Sequence, residues 1–264
     1  MLMTSRKNAT PLSAEVERLT PSQKGWLYAF VRQLQMPHEF SHAPDSDLMT
    51  SDVCEHIGDL LRIHHVMSRR PLSKAPFEYA FEKALQLAGK SARLASSATS
   101  PGYDMTIDAT RFSLKTEASK TVREDLIHIS KWMEMGKGEW DPPRVQLPRF
   151  IQHLEGYDRI LTLRCLVQTG TDYLYELVEI PKALMLEAAT GTLQKAGKTT
   201  QQTFPWYCRV ADSAGGQKYC LYFDAGSERK LQVKYLRKEH CIVHARWRFE
   251  SMPWGGENSH EEER

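Results

Sequence analysis

The chain reads as an α/β protein: a mixed β-sheet core flanked by helices, with a β-rich C-terminal part. Three observations predict this. Amphipathic stretches of helical spacing recur up to Gly89, short alternating or apolar runs punctuated by Gly turns take over from residue 102, and helical segments near 149–157 and 181–189 separate the later runs. The composition agrees, since 41% hydrophobic and 26% charged residues in a chain of 264 can bury a core and exclude a disordered protein. A net charge of +2 excludes a histone-like polycation, so any nucleic-acid binding must rest on locally concentrated charge.

In chain order, residues 1–20 are polar and are expected to be mobile at first. Residues 21–35 predict a helix with Thr20 as N-cap and Pro21 at N1, its apolar stripe being Trp26, Leu27, Phe30, Val31 and Leu34. A Pro/His/Asp/Ser loop is expected over 37–50. A second helix follows Ser51, with Val53, Ile57, Leu60, Leu61 and His64 on one side and the His64-His65 pair half packed and half exposed. The segment 71–76 interrupts the chain, and Phe77 to Ala88 predicts an amphipathic helix ended by Gly89. Two short strands within 102–117 turn at Asp108-Ala109-Thr110. Thr121-Val-Arg-Glu124 matches a capping box and predicts a helix to about Met135. A Gly/Pro loop covers 136–148, and a helix starts at Arg149 and runs to Tyr157. Strands over 160–167 and 173–180 then flank a turn at 170–172. Residues 181–189 predict a helix, 191–203 a flexible stretch, and 206–249 three or four strands turning at 213–216 and 224–227. The expected organisation is an N-terminal helical region (1–70), a core (71–190), a β-rich region (191–252) and a polar tail (253–264).

Five cysteines, Cys54, Cys165, Cys208, Cys220 and Cys241, are scattered without a CxxC pair. Cys165 lies inside an apolar strand and is expected to be a small buried hydrophobe. Cys220, His240, Cys241 and His244 lack the paired short spacing of a zinc site. The N-terminal residues lack the apolar core of a signal peptide, and no apolar run approaches membrane-spanning length, so a cytoplasmic protein is expected.

The chemistry concentrates in the 102–117 hairpin. Side chains alternate along a strand, so Ser113, Lys115 and Glu117 project from one face, and Asp104 on the antiparallel partner can reach the same spot. A carboxylate and an ammonium converging there suit metal-assisted phosphodiester hydrolysis. The acid holds a hard divalent cation, while the lysine activates or orients water and neutralises developing charge. A bare surface hairpin can carry the same residue types.

Several segments together resemble the PD-(D/E)xK nuclease superfamily, and within it a type II restriction endonuclease. They are Phe77-Glu78, Pro101-Gly-Tyr-Asp104, Phe112-Ser-Leu-Lys115-Thr-Glu117, Ile129 to Glu134, His153-Leu-x-x-Tyr-Asp-Arg-Ile-Leu161 and Tyr175 to Lys182. The resemblance covers about residues 75–250 and rests on order and spacing. It implies a restriction-endonuclease-like fold, with 71–190 the nuclease core and 191–252 the DNA-recognition region. Asp104 takes the position of the first metal-binding aspartate and Lys115 that of the lysine. The chain departs from the pattern at Ser113, where most members carry an acid, so the second carboxylate must come from elsewhere. Glu78 on the preceding helix ranks first, then Glu117, then Glu82 and Glu124; Asp108, in the turn, reads as structural. The implied reaction is in-line attack of water on phosphorus, giving a 5′-phosphate and a 3′-hydroxyl. One or two Mg²⁺ ions would be held by Asp104, Glu78 and the Leu114 carbonyl.

From Arg229 to Arg248, seven basic residues (Arg229, Lys230, Lys234, Arg237, Lys238, Arg246, Arg248) stand against a single acid, Glu239, with aromatic and apolar residues interleaved. Such strands suit phosphate and base contacts, although one solvated face of a strand pair looks the same. The Gln194–Thr203 loop is a second candidate. The expected enzyme is a Mg²⁺-dependent, site-specific endonuclease acting on double-stranded DNA as a homodimer. A repair nickase of the same superfamily, a non-catalytic DNA-binding protein and a protein-interaction domain are the competing readings.

Overall fold

In the computed structural model, which describes residues 11–96, 102–119, 121–196 and 204–252, alternation along each strand sorts apolar side chains onto the faces of two sheets. Pro101, residues 197–203 and the 253–264 tail lie outside the described residues. The chain opens with α1 (Leu12–Glu17) and α2 (Pro21–Gln35), then β1 (His38–His42), α3 (Ser51–Met67) and α4 (Lys74–Leu87). Next come β2 (Ala92–Leu94), β3 (Met105–Ile107), β4 (Thr110–Glu117) and β5 (Leu126–Glu134). A π-helical turn over Pro142–Gln146 leads into α5 (Leu147–Leu154). Then follow β6 (Arg159–Thr169), β7 (Asp172–Glu179), α6 (Lys182–Leu186), β8 (Thr192–Lys195), β9 (Trp206–Ala211), β10 (Gln217–Phe223), β11 (Lys230–Arg237) and β12 (Ile242–Glu250).

A seven-stranded sheet has the order β1-β12-β7-β6-β4-β3-β2, and a five-stranded sheet the order β5-β11-β10-β9-β8. In the larger sheet β4 and β6 run parallel, Leu114 opposite Leu161, and the other pairs are antiparallel. A parallel pair needs a crossover. Here it consists of β5, which leaves for the second sheet, and α5, which returns. Along β6, Leu161, Leu163 and Cys165 face a core built with Val53, Ile57 and Leu61 of α3 and Phe77, Phe81 and Leu85 of α4. Ile160 faces the other way, into a core shared with Phe150 and Leu154 of α5 and with Ile129, Val210, Leu221 and Val233 of the second sheet. The result is the α/β fold that the sequence predicts. No helix among the described residues is long and apolar enough to cross a membrane.

Several local expectations hold. Thr20 and Gln23 form a reciprocal capping box at α2. Cys165 is buried. His65 is fully buried against the Tyr175 hydroxyl, while His64 stays half-exposed.

Others are corrected. The helix expected after Thr121 is the strand β5, because Ile127 and Ile129 alternate into the core and pair beside Leu236 and Val233 of β11. Glu124 caps nothing; it is exposed and pairs with Lys238 and Arg246. The 37–50 loop contains β1, which adds to the free edge of β12. Leu12–Glu17 is helical. On α2 only Gln33 is buried, with Trp26, Leu27 and Phe30 half-covered and Val31 and Leu34 exposed. Apart from these corrections, the β-rich part after residue 190 feeds both sheets, with β8 to β11 in the smaller one and β12 in the larger one between β1 and β7.

Candidate active site

The site lies where the short strand β3 stops covering β4. Ile107 pairs with Thr110 and Met105 with Phe112, and the amide of Asp104 extends the ladder by one bond to the Phe112 carbonyl at 2.8 Å. Past that point the Leu114 N–H has no strand beside it. The Asp104 carboxylate takes the missing strand's place, Oδ2 accepting from Leu114 N at 2.6 Å and from Ser113 Oγ at 3.2 Å. The tight turn that returns the chain is at the expected place but is confined to Asp108 and Ala109, Thr110 already belonging to β4. Asp108 and Ala109 both adopt left-handed backbone (φ 46° and 70°), and the Asp108 carboxylate accepts from Ser91 N at 3.2 Å.

Lys115 projects on the α5 side of β4. Its Nζ donates to Ser113 Oγ at 2.8 Å and stands 4.0 Å from Asp104 Oδ2. The Trp132 ring centre lies 5.7 Å from that nitrogen, and the Trp132 indole donates to the Tyr157 hydroxyl at 3.1 Å. Burial pushes the Lys115 ammonium down to about 8, against the pull of Asp104. For Asp104 itself burial works upward. The Lys115 and Lys74 ammonium groups and the Leu114 N–H outweigh it and hold the carboxyl below the ordinary range.

Glu78 comes from α4, which packs on the opposite face of the sheet, and meets the hairpin around its edge. Both acids converge on Lys74, whose Nζ is 2.7 Å from Asp104 Oδ1 and 3.2 Å from Glu78 Oε1. Burial raises the Glu78 carboxyl, Lys74 offsets that in part, and the nearby Asp104 charge adds to it. A cleft of about 580 Å³ lined by Lys74, Glu78, Glu82, Tyr103 and Asp104 opens the site to solvent.

Two carboxylates gripping one cation are the donor set that a hard divalent ion takes when phosphate and water complete its shell. Lys74 Nζ lies between the two acids, so the pair offers a hard divalent cation two carboxylate donors at one point. Among the described residues no cluster of three or more His, Cys, Asp or Glu joins to make an all-protein cage.

The other acids have different partners. Glu117 accepts from Arg164 Nε at 2.6 Å and from His128 N at 3.0 Å, inside a buried cluster that also holds Glu176. Glu82 accepts from Leu94 N at 2.7 Å and thereby fastens β2 to α4. Lys74 was not singled out from the sequence, although its i,i+4 spacing to Glu78 was a readable signal. His153 enters the sequence reading only as part of a resembling segment, without a role of its own. It lies within electrostatic reach of Lys115 and Asp104, and burial with the Lys115 charge pushes it down to about 4, so it is neutral at pH 7.

The basic run is divided. Arg229, Lys230 and Lys234 belong to the β11 side, and Arg246 and Arg248 to β12 in the other sheet. Arg237 faces Asp212 and Glu239, Lys238 and Arg246 face Glu124 and Glu176, Arg248 faces Asp172, and Lys230 faces Glu228. Arg229 donates to the Gly138 carbonyl and lies over Trp140. The Lys234 ammonium sits 3.7 Å above the Tyr222 ring, and among the described residues no carboxylate forms an ion pair with it. Of the Gln194–Thr203 loop, Gln194 and Lys195 lie on β8, Ala196 follows it, and the rest is outside the described residues.

Comparison with known proteins gives a consistent picture. A family model described as SmaI, type II site-specific deoxyribonuclease, matches residues 12–249. The type II restriction enzyme SmaI of Serratia marcescens is 46% identical over 203 residues, covering 77% of this chain and 82% of that protein.

Proposed function

Given that the chain belongs to the SmaI family of type II site-specific deoxyribonucleases, we propose that it is a Mg²⁺-dependent endonuclease of PD-(D/E)xK type. Its substrate is double-stranded DNA, cut at a short sequence, and two copies of the chain serve the two strands as a homodimer. The observation that carries the reading is the buried Lys115 ammonium held 4.0 Å from Asp104 at an open strand edge.

Asp104 and Glu78 would hold Mg²⁺ together with the Leu114 carbonyl, and the bound ion would supply Lewis-acid stabilisation of the phosphate and of the attacking water. Asp104 stays ionised, as its partners require. Lys115, lowered to about 8, orients the water and passes between charged and neutral forms near working pH. Ser113 stands where related enzymes carry an acid and instead fixes the lysine by accepting its hydrogen bond. Water attacks phosphorus in line, the bond to the 3′-oxygen breaks, and a 5′-phosphate and a 3′-hydroxyl result. Lys234 and Arg229 are the best supported DNA contacts of the basic run because neither forms an ion pair with a carboxylate among the described residues. Lys230, Arg237, Lys238, Arg246 and Arg248 would have to exchange a carboxylate for a phosphate to contribute.

The test is duplex cleavage with Mg²⁺ by the purified chain and by Asp104→Asn, Glu78→Gln, Lys115→Met, Glu82→Gln and Glu117→Gln. The first three should lose cleavage while still binding duplex in Ca²⁺. Glu82→Gln keeps an oxygen for Leu94 N and should stay active. Full activity of Glu78→Gln would refute the assignment of the second carboxylate, and an active Lys115→Met would refute the whole site. Light scattering with and without duplex reads the expected dimer.

A further inference from the structure

We propose that Lys74 is a built-in substitute for the metal ion: its ammonium holds Asp104 and Glu78 together in the metal-free protein and must leave that position before a divalent cation binds. The inference rests on the metal-binding reading of Asp104 and Glu78 given above.

Three observations carry it. The first is geometry. Lys74 Nζ is the shared partner of the two acids, at 2.7 and 3.2 Å, and so lies where a bridging cation would lie. The second is its position in α4. Lys74 is the first residue of the helix, at the positive end of the helix dipole, where a cation is disfavoured unless something compensates. The two carboxylates are that compensation. The third is freedom to leave. The Lys74 side chain is 45% exposed and borders the cleft, whereas that of Lys115 is 7% exposed and is tied to Ser113. Of the two ammonium groups facing Asp104, only Lys74 can swing away without opening the core.

The exchange has an electrostatic consequence. With Lys74 in place, two carboxylates face two ammonium groups and the site is formally neutral. Replacing Lys74 by a divalent ion makes the same site positive, and the released ammonium adds to the field over the cleft. The metal-free protein therefore offers little attraction to a phosphate at this point, and the loaded protein offers much more.

A group that occupies the ligand position lowers apparent metal affinity by the fraction of time it is away. If Lys74 is absent from the position about a tenth of the time, removing it tightens metal binding about tenfold. The experiment is titration of the full chain, without DNA, with Mn²⁺ followed by electron paramagnetic resonance and with Ca²⁺ followed by calorimetry. Wild type, Lys74→Met, Lys74→Gln, Lys74→Arg and Asp104→Asn are compared.

Lys74→Met and Lys74→Gln should bind Mn²⁺ on the order of tenfold more tightly, and their melting temperature should rise more on adding the metal. Lys74→Arg, still cationic, should bind as weakly as wild type or more weakly. If Lys74→Met and Lys74→Gln bind Mn²⁺ no better than wild type while Asp104→Asn abolishes binding, the metal site stands and the substitute role is overturned. If Asp104→Asn binds Mn²⁺ like wild type, the metal reading and this inference fall together.

Discussion

Replacing Lys115 by Met should make the protein more stable while destroying its chemistry. Burial brings the lysine from an ordinary 10.5 to about 8, the attraction of Asp104 already included. At ~1.4 kcal/mol per pH unit, that interval corresponds to about 3 kcal/mol spent keeping the ammonium charged in the folded state. Below pH 8 folded and unfolded chains are both protonated here, so the folded protein bears the full cost. Between 8 and 10.5 the unfolded chain binds more protons, and stability rises with pH. Above 10.5 the penalty is gone. Met fills similar volume and needs no partner, and Asp104 keeps Leu114 N and Lys74. Urea denaturation of wild type and Lys115→Met, in chelator at pH 7, 8.5 and 10.5, isolates the group by difference. The variant should lead at pH 7, and its advantage should shrink by about 3 kcal/mol toward pH 10.5. A constant difference across that range, or a less stable variant at pH 7, would refute the claim that the lysine is held charged against burial.

Three further outcomes are expected. Arg164→Met strips the buried partner from Glu117 and Glu176 and should cost about 3–5 kcal/mol, read as a lower urea midpoint. Gly156→Ala places a methyl 2.7 Å from the Gly102 Cα, two residues before Asp104, where backbone must yield. It should lose about 1–3 kcal/mol by thermal melting and on the order of tenfold or more in cleavage rate. Ala109→Gly relieves a left-handed alanine at φ 70° in the hairpin turn and should stabilise by about 0.5–1 kcal/mol with cleavage unchanged.

The hairpin was legible because everything that defines it is local. A two-residue turn and strict alternation put Asp104, Ser113 and Lys115 in one place without help from distant segments. The four candidate acids were not separable in that way. Glu117 shares the strand face of Lys115, yet it is drawn to Arg164 across the parallel pair with β6, a contact between residues far apart in sequence. Glu78 reaches the site only because α4 packs beside the sheet edge, and sequence spacing does not encode that docking. β5 departs from its local sequence pattern for a related reason. Thr121-Val-Arg-Glu124 satisfies a helix-start pattern, but Ile127 and Ile129 supply β-branched alternation, and pairing with β11 decides between the two. The basic run looked continuous because sequence hides partners: Glu176 and Glu124 are distant in the chain and sit among Lys238 and Arg246 in space.

The two lysines that flank Asp104 divide the work that a single strand edge cannot do alone. Covering β4 fully with β3 would satisfy Leu114 N but leave no opening for a phosphate; leaving the edge bare would expose an unpaired amide. An aspartate side chain used as the missing strand solves both demands, and it places a negative charge that has to be balanced. A buried, fixed ammonium can balance it permanently, which is the position of Lys115. A second acid, Glu78, then needs a second cation, and an exposed lysine at a helix start can supply it reversibly. On the proposed reading, the low exposure of Lys115 suits a group that stays in place to orient the water, and the greater exposure of Lys74 suits one that yields its place to a metal.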